Sequence, residues 1–462
     1  MKKLACLAVI LCIFLLAACS GENDSGQQPS GVSFAEARAE FTTTLTRYAN
    51  NQFAIPTPPD GVFDLVHFES DVGQLAAFVS SDPGDGQQHP LIIWVVGGWS
   101  NGISDLPWSY GDWNNNQTAS AFRDAGILMM YPSFRGANGN PGYFETLYGE
   151  IDDIVAAFEF AASLPYVDPA RIYLGGHSTG ATRVLLAAAY TDVFRAAFSF
   201  GPVDDIGEHN RTQFTFDLND DMERRMRSPI HWLDDIQTPT FVIEGRGGND
   251  DCLENMMDAT DNENVFFYIV EGGDHFDVLA PITILAAQRI LADTGAQVNI
   301  SFTDQDMLDA MAMPPVATMP VMLTHHNEDL GISFSLPFIW SMSNNTPSSF
   351  AYMSTHRDDN FWDSSMLFVD GYYILDPFTA DEIASGLNLE HGYQMHSDLI
   401  NGQEALIWSG LADLGDRGIY LHITAAFQTG DQLTIFEFFS PVAFAEASTA
   451  LFEQIIYSVS FD

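Results

Sequence analysis

The chain has 462 residues, of which 46% are hydrophobic, so it is too long for one ordinary core and we expect two domains. Its only lysines are Lys2 and Lys3, and the remainder has 15 arginines against 62 acidic residues, a formal charge of −47. The negative electrostatic field of such a chain repels nucleic acid and anionic lipid surfaces, which argues against a nucleic-acid-binding role.

Residues 1–18 have the layout of an export signal, with two lysines, a short apolar run and small residues before Cys19. The run is shorter than the roughly 20 residues that a membrane-spanning helix needs. Residues 16–19, LAAC, resemble the lipobox of bacterial lipoproteins. The resemblance implies cleavage before Cys19, a lipid anchor on that cysteine and a place in a bacterial cell envelope, on the outer membrane or a periplasmic or extracellular face. The alternative is an ordinary exported protein that is cut nearby.

Residues 19–33 are polar and rich in Gly, Ser and Gln, which predicts a flexible tether. Residues 34–48 have apolar positions at helical spacing, and residues 62–69 and 74–80 read as a hairpin. Buried strands are then predicted at 91–96, 127–131, 171–174, 196–200, 240–244 and 265–270, with helices at 147–164 and 278–291. This alternation predicts an α/β domain over residues 34–298, a doubly wound, mostly parallel sheet with helices on both faces.

One stretch, residues 171–190, has the form of a strand, a sharp turn and a helix, and Ser178 stands at the turn within GHSTG. Small residues around such a serine let the strand reverse with the hydroxyl exposed, which makes Ser178 a candidate nucleophile. A second G-x-S-x-G, GWSNG, contains Ser100. The residues after Ser100 predict a loop instead of a helix, which favours Ser178.

Three segments carry a family resemblance: FRGANGNPGYFE at 134–145, YGEIDDIVAAFEF at 148–160 and VDPARIYLGGHSTGA at 167–181. They resemble the catalytic domain of the prolyl oligopeptidase family of α/β-hydrolases, a similarity that spans about residues 60–291. It implies a nucleophile, acid and histidine in that chain order. The segment between Cys19 and Leu91 is too short for the β-propeller that many of these enzymes carry.

His275, in GGDHF between the last predicted strand and helix, is the expected base because the fold places its histidine there. The acid is expected in the loop after residues 240–244, where both Asp250 and Asp251 qualify. Aligning the start of the following helix with the family's favours Asp251. A triad of this kind requires no metal or cofactor.

The oxyanion of an acyl-transfer transition state needs preorganised donors. The backbone N–H of Thr179, at the start of the elbow helix, is the expected first donor. The second is expected from the loop after residues 91–96, at Gly98 or Trp99, because GGW resembles the family's His-Gly-Gly loop. Val96 stands where that loop usually has its histidine. Ser100 is then expected to line the oxyanion loop.

Residues 299–320 are expected to form a linker, followed by a second domain over 321–462 with aromatic-rich strands and a final helix. LGISFSLPFIWSM, GIYLHITAAF and the final helix with IIYSVSF resemble the PsbP-like fold, which is also seen in the DcrB family of bacterial lipoproteins. The resemblance implies a smaller α+β domain and does not extend to catalytic residues, so we expect it to bind or dock a protein partner.

Together these features predict a lipid-anchored serine hydrolase that cleaves peptide or ester bonds through an acyl-enzyme. Within this class they favour a prolyl oligopeptidase-like peptidase. A carboxylesterase is the alternative within this class, since fold and triad serve both. An alternative of another class is a non-catalytic binding lipoprotein of the envelope. The set of serine, histidine and acid favours the enzyme.

Overall fold

The computed structural model describes residues 31–461 except 110, 112, 209–213, 314–321, 328–329, 338–339, 347–348, 355–365, 375–376, 390–391, 415–418, 431 and 442–444. The predicted signal, the lipidation site Cys19 and most of the tether lie outside the described residues. Within the described part of the chain, no helix is long and apolar enough to cross a bilayer.

The amino-terminal part contains an eight-stranded sheet. Its strands are β1 (Phe63–Ser70), β2 (Gly73–Ser80), β3 (His89–Val95), β4 (Leu128–Pro132), β5 (Val167–His177), β6 (Ala197–Phe200), β7 (Thr240–Gly245) and β8 (Val265–Val270). Their spatial order is β1-β2-β4-β3-β5-β6-β7-β8. β1 and β2 form the predicted antiparallel hairpin, β2 pairs antiparallel with β4, and all later neighbours are parallel.

Eight helices accompany this sheet in the described residues: α1 (Phe34–Glu40), α2 (Ser120–Asp124), α3 (Glu150–Ser163), α4 (Thr179–Tyr190), α5 (Asp221–Arg225), α6 (Asp250–Ala259), α7 (Leu279–Ala292) and α8 (Asp304–Met311). Apolar residues of α3 and α4, such as Ile154 and Leu185, are buried in a core on one face of the sheet. Residues of α2 and α7, such as Phe122 and Ile282, are buried in a second core on the other face.

The central strands are apolar on both sides because helices cover both faces of the sheet. In β7, for example, all six residues are buried. The predicted α/β class is confirmed, and this strand order with a mostly parallel sheet is that of an α/β-hydrolase. The carboxyl ends of β3, β5, β6 and β7 meet at one edge, where such sheets bind ligands.

Two predicted boundaries differ from the structure. The first helix ends at Glu40 instead of continuing to residue 48, and a Ser33–Glu36 capping box holds its start. Residues 300–310, expected as linker, pack on the second core through Ile300, Phe302 and Met307. The Tyr268 hydroxyl also donates a hydrogen bond to the Phe302 carbonyl, at 3.0 Å. This segment therefore belongs to the packed α/β unit.

The carboxy-terminal part is mostly β. A seven-stranded antiparallel sheet has the order β11 (Trp340–Thr346), β12 (Ser349–Ser354), β13 (Met366–Tyr373), β17 (Gln432–Pro441), β16 (Ile419–Thr429), β15 (Gln403–Asp413) and β14 (Gln394–Ile400). A smaller sheet joins β18 (Ser460–Phe461), β10 (Ile332–Pro337) and β9 (Met322–Asn327). Helix α10 (Ala445–Tyr457) packs on β16 and β17 through Phe452, and α9 (Ala380–Gly386) packs near Trp408. A smaller α+β unit is thus present, whereas its likeness to PsbP stays a prediction.

Candidate active site

Ser178 stands alone between the end of β5 and the start of α4. Its φ of 57° and ψ of −121° lie in a region that L-residues rarely occupy, so the backbone is strained at this position. Two hydrogen bonds hold it there: Ser178 N–H donates to the Phe200 carbonyl at 2.8 Å, and Thr182 N–H donates to the Ser178 carbonyl at 3.0 Å. The predicted sharp turn from strand to helix is present.

The turn depends on a close approach of α4 to β3. A Cβ added to Gly180 would lie 2.1 Å from the Val95 carbonyl oxygen, which is far inside van der Waals contact. Only glycine allows the first turn of α4 to come this close, which explains the second glycine of GHSTG. By contrast, Ser100 of GWSNG lies in the loop after β3, where its Oγ accepts a hydrogen bond from Gly102 N–H at 3.2 Å.

Ser178 and His275 line the same cavity of about 210 Å³, together with Thr179 and Asn249. The remaining described lining residues are Trp99, Leu147, Thr182, Val203 and Ile206. The structure therefore brings together two candidate residues that are separated by 97 positions in the chain. The cavity, which we call the elbow cavity, has both polar and apolar walls.

The carboxylate that reaches His275 is Glu244. Its Oε2 lies 2.8 Å from His275 Nδ1, and its side chain is completely buried. Two backbone N–H groups also donate to this carboxylate, from Gly245 at 2.7 Å and from Asn249 at 2.9 Å. A buried charge is tolerated when it is hydrogen-bonded in this way. Because a carboxylate accepts here, Nδ1 carries the proton of the neutral imidazole and Nε2 keeps its lone pair.

The expectation that Asp250 or Asp251 would meet His275 is therefore wrong in its geometry. Asp250 begins α6 and forms an ion pair with Arg246 at 3.0 Å. Asp251 follows it and is exposed. Because α6 begins at these two residues, their side chains are fixed on its first turn. The carboxylate that contacts His275 comes instead from Glu244, near the end of β7.

Gly248 explains how a strand residue can take this place. A Cβ added there would lie 2.5 Å from Glu244 Oε1, so a side chain at position 248 would occupy the space that the Glu244 carboxylate fills. Two signals could have indicated this: a glutamate inside the otherwise apolar strand sequence TFVIEG, and the glycine pair that follows it. A buried carboxylate needs a partner, and glycines leave room for it.

His177, next to the nucleophile candidate, contacts the histidine loop and was missed by sequence reasoning. Its Nε2 lies 2.9 Å from the His275 carbonyl, and the two imidazole rings lie 4.5 Å apart between centroids. Since a carbonyl only accepts, Nε2 of His177 carries the proton. Its Nδ1 is buried and has no hydrogen-bond partner among the described residues. Burial, and next the nearby His275, lower the pKa of His177 to about 4, so this ring is neutral near pH 7.

The loop after β3 is tied to the first residue of the elbow helix. Thr179 Oγ1 donates a hydrogen bond to the Gly98 carbonyl at 2.5 Å, and Gly98 has a φ of +83°. Trp99 lines the elbow cavity and packs edge-on against Phe214, with ring centroids 5.5 Å apart. As the first residue of α4, Thr179 has an N–H without an acceptor inside the helix.

Asn101 anchors the other end of this loop and is 2% exposed. Its Oδ1 accepts from Arg183 Nη2 at 2.8 Å, and its Nδ2 donates to Glu150 Oε1 at 2.8 Å. Arg183 lies on the elbow helix and Glu150 begins α3, so one amide links the loop to both helices. Burial raises the cost of ionising Glu150, yet Arg183 and Asn101 hold its pKa below the usual value.

An eight-stranded sheet of this order, a strained serine at the β5–α4 turn and a histidine paired with a buried carboxylate form the layout of the α/β-hydrolases that use a serine nucleophile. Residues 113–253 match the model of the prolyl oligopeptidase family, peptidase S9. The matched segment includes Ser178 and Glu244 and ends before His275. The match covers less than half of the chain, so it is a similarity to the peptidase S9 family over that segment, and it supports a serine hydrolase of the peptidase or esterase class.

Individual relatives cover only parts of the chain. A polyketide transferase of Penicillium crustosum is 40% identical over 78 residues, which are 17% of this chain and 25% of that protein. A puromycin-hydrolysing peptidase of Mycobacterium tuberculosis has 20% identity and a TM-score of 0.42, over 52% of this chain and 40% of that one. An acylaminoacyl peptidase of Pyrococcus horikoshii has 19% identity and a TM-score of 0.41, over 54% and 44%. This chain thus spans less than half the length of each of them.

Proposed function

We propose that the chain is a serine hydrolase in which Ser178 is the nucleophile, His275 the general base and Glu244 the acid that orients it. The observation that carries the proposal is the 2.8 Å contact between Glu244 and His275 Nδ1, made at the cavity that the strained Ser178 also lines. A histidine that serves only in packing does not require a buried carboxylate on one nitrogen and a cavity at its other side.

The order of proton transfers follows from the tautomer of His275, in which Nε2 has a lone pair that can accept a proton. His275 Nε2 takes the proton of the Ser178 hydroxyl as Oγ attacks the substrate carbonyl carbon, and the imidazolium that forms is stabilised by Glu244. His275 then gives that proton to the leaving amine or alcohol as its bond to the carbonyl carbon breaks. Water, deprotonated by the same nitrogen, attacks the acyl-enzyme and releases the acid and free Ser178.

We assign the oxyanion to the backbone N–H of Thr179 and to that of Trp99. The Thr179 N–H lies at the positive end of α4, where a negative charge is favoured. Trp99 and Gly98 were both candidates for the second donor. Trp99 is favoured because it lines the elbow cavity, whereas Gly98 is not among the described lining residues.

The substrate class that we propose is a peptide with a small or medium acyl-side residue, with short carboxylic esters as the second candidate. The family match supports peptide bonds. The elbow cavity, at about 210 Å³, is smaller than the 300–1,000 Å³ usual for drug-sized ligands and fits one side chain or a short acyl group. This size favours short acyl groups over long fatty acyl chains in either class.

We further propose that Cys19 carries a lipid and that the chain is anchored in a bacterial envelope. This rests on the LAAC sequence at 16–19 and on the polar tether after it. Incorporation of radiolabelled palmitate is the measurement that tests it.

A fluorophosphonate probe tests the nucleophile without knowledge of the substrate. We expect labelling of the full chain, and none of Ser178→Ala, because only an activated serine reacts. Ser100→Ala, at the other G-x-S-x-G motif, is the matched control and should still be labelled. Labelling that persists in Ser178→Ala, or that never occurs in the native chain, contradicts the proposal.

A further inference from the structure

Leu147 forms part of the inner wall of the elbow cavity, and its backbone is strained. It lines the cavity and yet is completely buried, so it lies at the inner end and not at the mouth. Its φ is +67°, and that of Thr146 before it is +52°. Left-handed residues other than glycine are costly because their Cβ crowds the backbone, and two in succession are unusual. Strain of this kind persists only where the surrounding structure holds it.

The carboxylate of Glu150 holds this strained turn from both ends. It is completely buried and accepts hydrogen bonds from Glu145 N–H at 2.9 Å and from Tyr148 N–H at 3.1 Å. These two donors bracket Thr146 and Leu147 in the chain. If the turn relaxed, buried polar groups would lose their partners, which costs more than an ordinary hydrogen bond contributes. The position of Leu147 at the cavity is therefore fixed.

The turn lies on the side of the cavity that faces the loop after β3. The same Glu150 carboxylate accepts from Asn101 Nδ2 at 2.8 Å, and Asn101 lies two residues after Trp99 in that loop. In the described residues no hydrogen bond joins residues 145–148 to the loop that contains His275. A leaving group that takes a proton from His275 must lie on the histidine side, so the space in front of the turn is left for the acyl group.

Two other lining residues, Thr182 and Ile206, are also completely buried. Thr182 stabilises the elbow, because its Oγ1 donates to the Ser178 carbonyl at 3.3 Å and accepts from Val203 N–H at 3.1 Å. Ile206 begins a short 3-10 turn and has no left-handed backbone. Of these three buried lining residues, only Leu147 is a large apolar residue that the fold keeps at the cavity against backbone strain.

The geometry points to Leu147 as the residue that limits the length of the acyl group, because it closes the inner end of the elbow cavity. This inference rests on the proposed function, since it places the acyl carbonyl carbon at Ser178. An acyl chain that reaches Leu147 contacts a side chain whose backbone is held on both sides by Glu150. Longer chains are then excluded from the position in which Ser178 attacks.

A series of p-nitrophenyl esters with straight acyl chains, from acetate to octanoate, tests this without a known substrate. Ser178 Oγ forms a bond to the acyl carbon, the bond to p-nitrophenolate breaks, and His275 passes the proton of Ser178 to the buffer. The leaving group is the same throughout, so differences in kcat/KM report on the acyl chain. Each value is divided by that of the acetate, which removes the fraction of active protein, and by the relative rate of alkaline hydrolysis.

In the native chain we expect kcat/KM to rise with chain length to an optimum and then to fall. Leu147→Ala removes three carbon atoms, so the optimum should move about two methylenes longer. The ester at the new optimum should gain roughly tenfold relative to acetate, because each buried methylene is worth about fourfold in binding. Leu147→Gly should give the same shift. It is the second variant because glycine adopts a φ of +67° without strain, which favours a folded protein.

Leu75→Ala is the matched control. Leu75 lies on β2, is as completely buried as Leu147 in the same core, and is outside the described lining of the elbow cavity. The substitution removes the same three carbon atoms from the core, so any general loosening of the fold should be similar. The optimum chain length should stay at the native value.

The failures are distinguishable. If the fluorophosphonate probe labels Ser178 but the optimum is the same in the native chain and in both Leu147 variants, the assignment of Leu147 is overturned and the hydrolase stands. The same holds if no ester releases p-nitrophenolate. An equal shift in Leu75→Ala also overturns the assignment, because loosening of the core would then be the cause. If the native chain is not labelled at all, the proposed function fails and the inference fails with it.

Discussion

The partner of His275 offers the sharpest test of the site, because sequence reasoning and the structure name different residues. Replacing Glu244 by alanine removes the only carboxylate that contacts His275 in the described residues. With opposite charges 2.8 Å apart and an effective dielectric constant of about 20, the attraction to an imidazolium is about 6 kcal/mol. His275 is partly exposed, and water weakens this attraction. We therefore expect Glu244→Ala to lower kcat/KM about 10³- to 10⁴-fold.

The rate of fluorophosphonate labelling, followed by gel fluorescence over time, measures this loss even before a substrate is known. Asp250→Asn and Asp251→Asn are the matched controls, since they remove the two carboxylates favoured by sequence, and both should stay within about twofold of the native rate. If Glu244→Ala stays within tenfold of the native rate while either aspartate variant loses activity, the assignment of Glu244 is refuted.

A compensating change makes the test stricter. Gly248 does not have a positive φ, so an aspartate is sterically allowed by its backbone, and its carboxylate would enter the space that Glu244 leaves. We expect Glu244→Ala with Gly248→Asp to recover at least tenfold over Glu244→Ala alone. Gly248→Asp in the native background should instead reduce activity, because its Cβ would lie 2.5 Å from Glu244 Oε1.

Two further predictions concern the neighbour of the nucleophile and the anchor. The folded chain holds the pKa of His177 at about 4, below the ordinary 6.5, so the unfolded chain takes up this proton first as the pH falls. The control is His177→Gln, whose amide can still donate to the His275 carbonyl but does not titrate. Relative to this variant, the free energy of unfolding of the native chain should drop by about 2.5 kcal/mol between pH 7.5 and pH 4.5, measured by urea titration. If the two proteins show the same dependence of stability on pH, the prediction is wrong. Cys19→Ser should abolish palmitate incorporation and move the chain from the detergent phase to the aqueous phase, and unchanged partition would count against lipidation.

The local sequence pattern was sufficient to predict most of the helices and strands of the α/β unit. Strands such as β3 and β7 are short apolar runs bounded by turn residues, and α7 is a long apolar helix, so each element was predictable from its own residues. The elbow was also predictable, because a strand that reverses directly into a helix requires small residues around its serine. Chain order then indicated His275. The strands, the helices and the elbow depend on residues that are close together in the chain, so they can be predicted from the sequence.

The acid and the wall of the elbow cavity depended on contacts between distant segments. Glu244 and His275 are 31 residues apart, and whether a strand-end glutamate or a helix-start aspartate faces the imidazole depends on how the loop with Gly248 folds between them. The inner wall at Leu147 depends in the same way on the Glu150 carboxylate, which also accepts from Asn101 at a separation of 49 residues. The sequence by itself determined the class of fold, the nucleophile candidate and its histidine. Only the tertiary structure decided which carboxylate meets that histidine, because side-chain contacts across a sheet edge follow from three-dimensional distance and not from spacing along the chain.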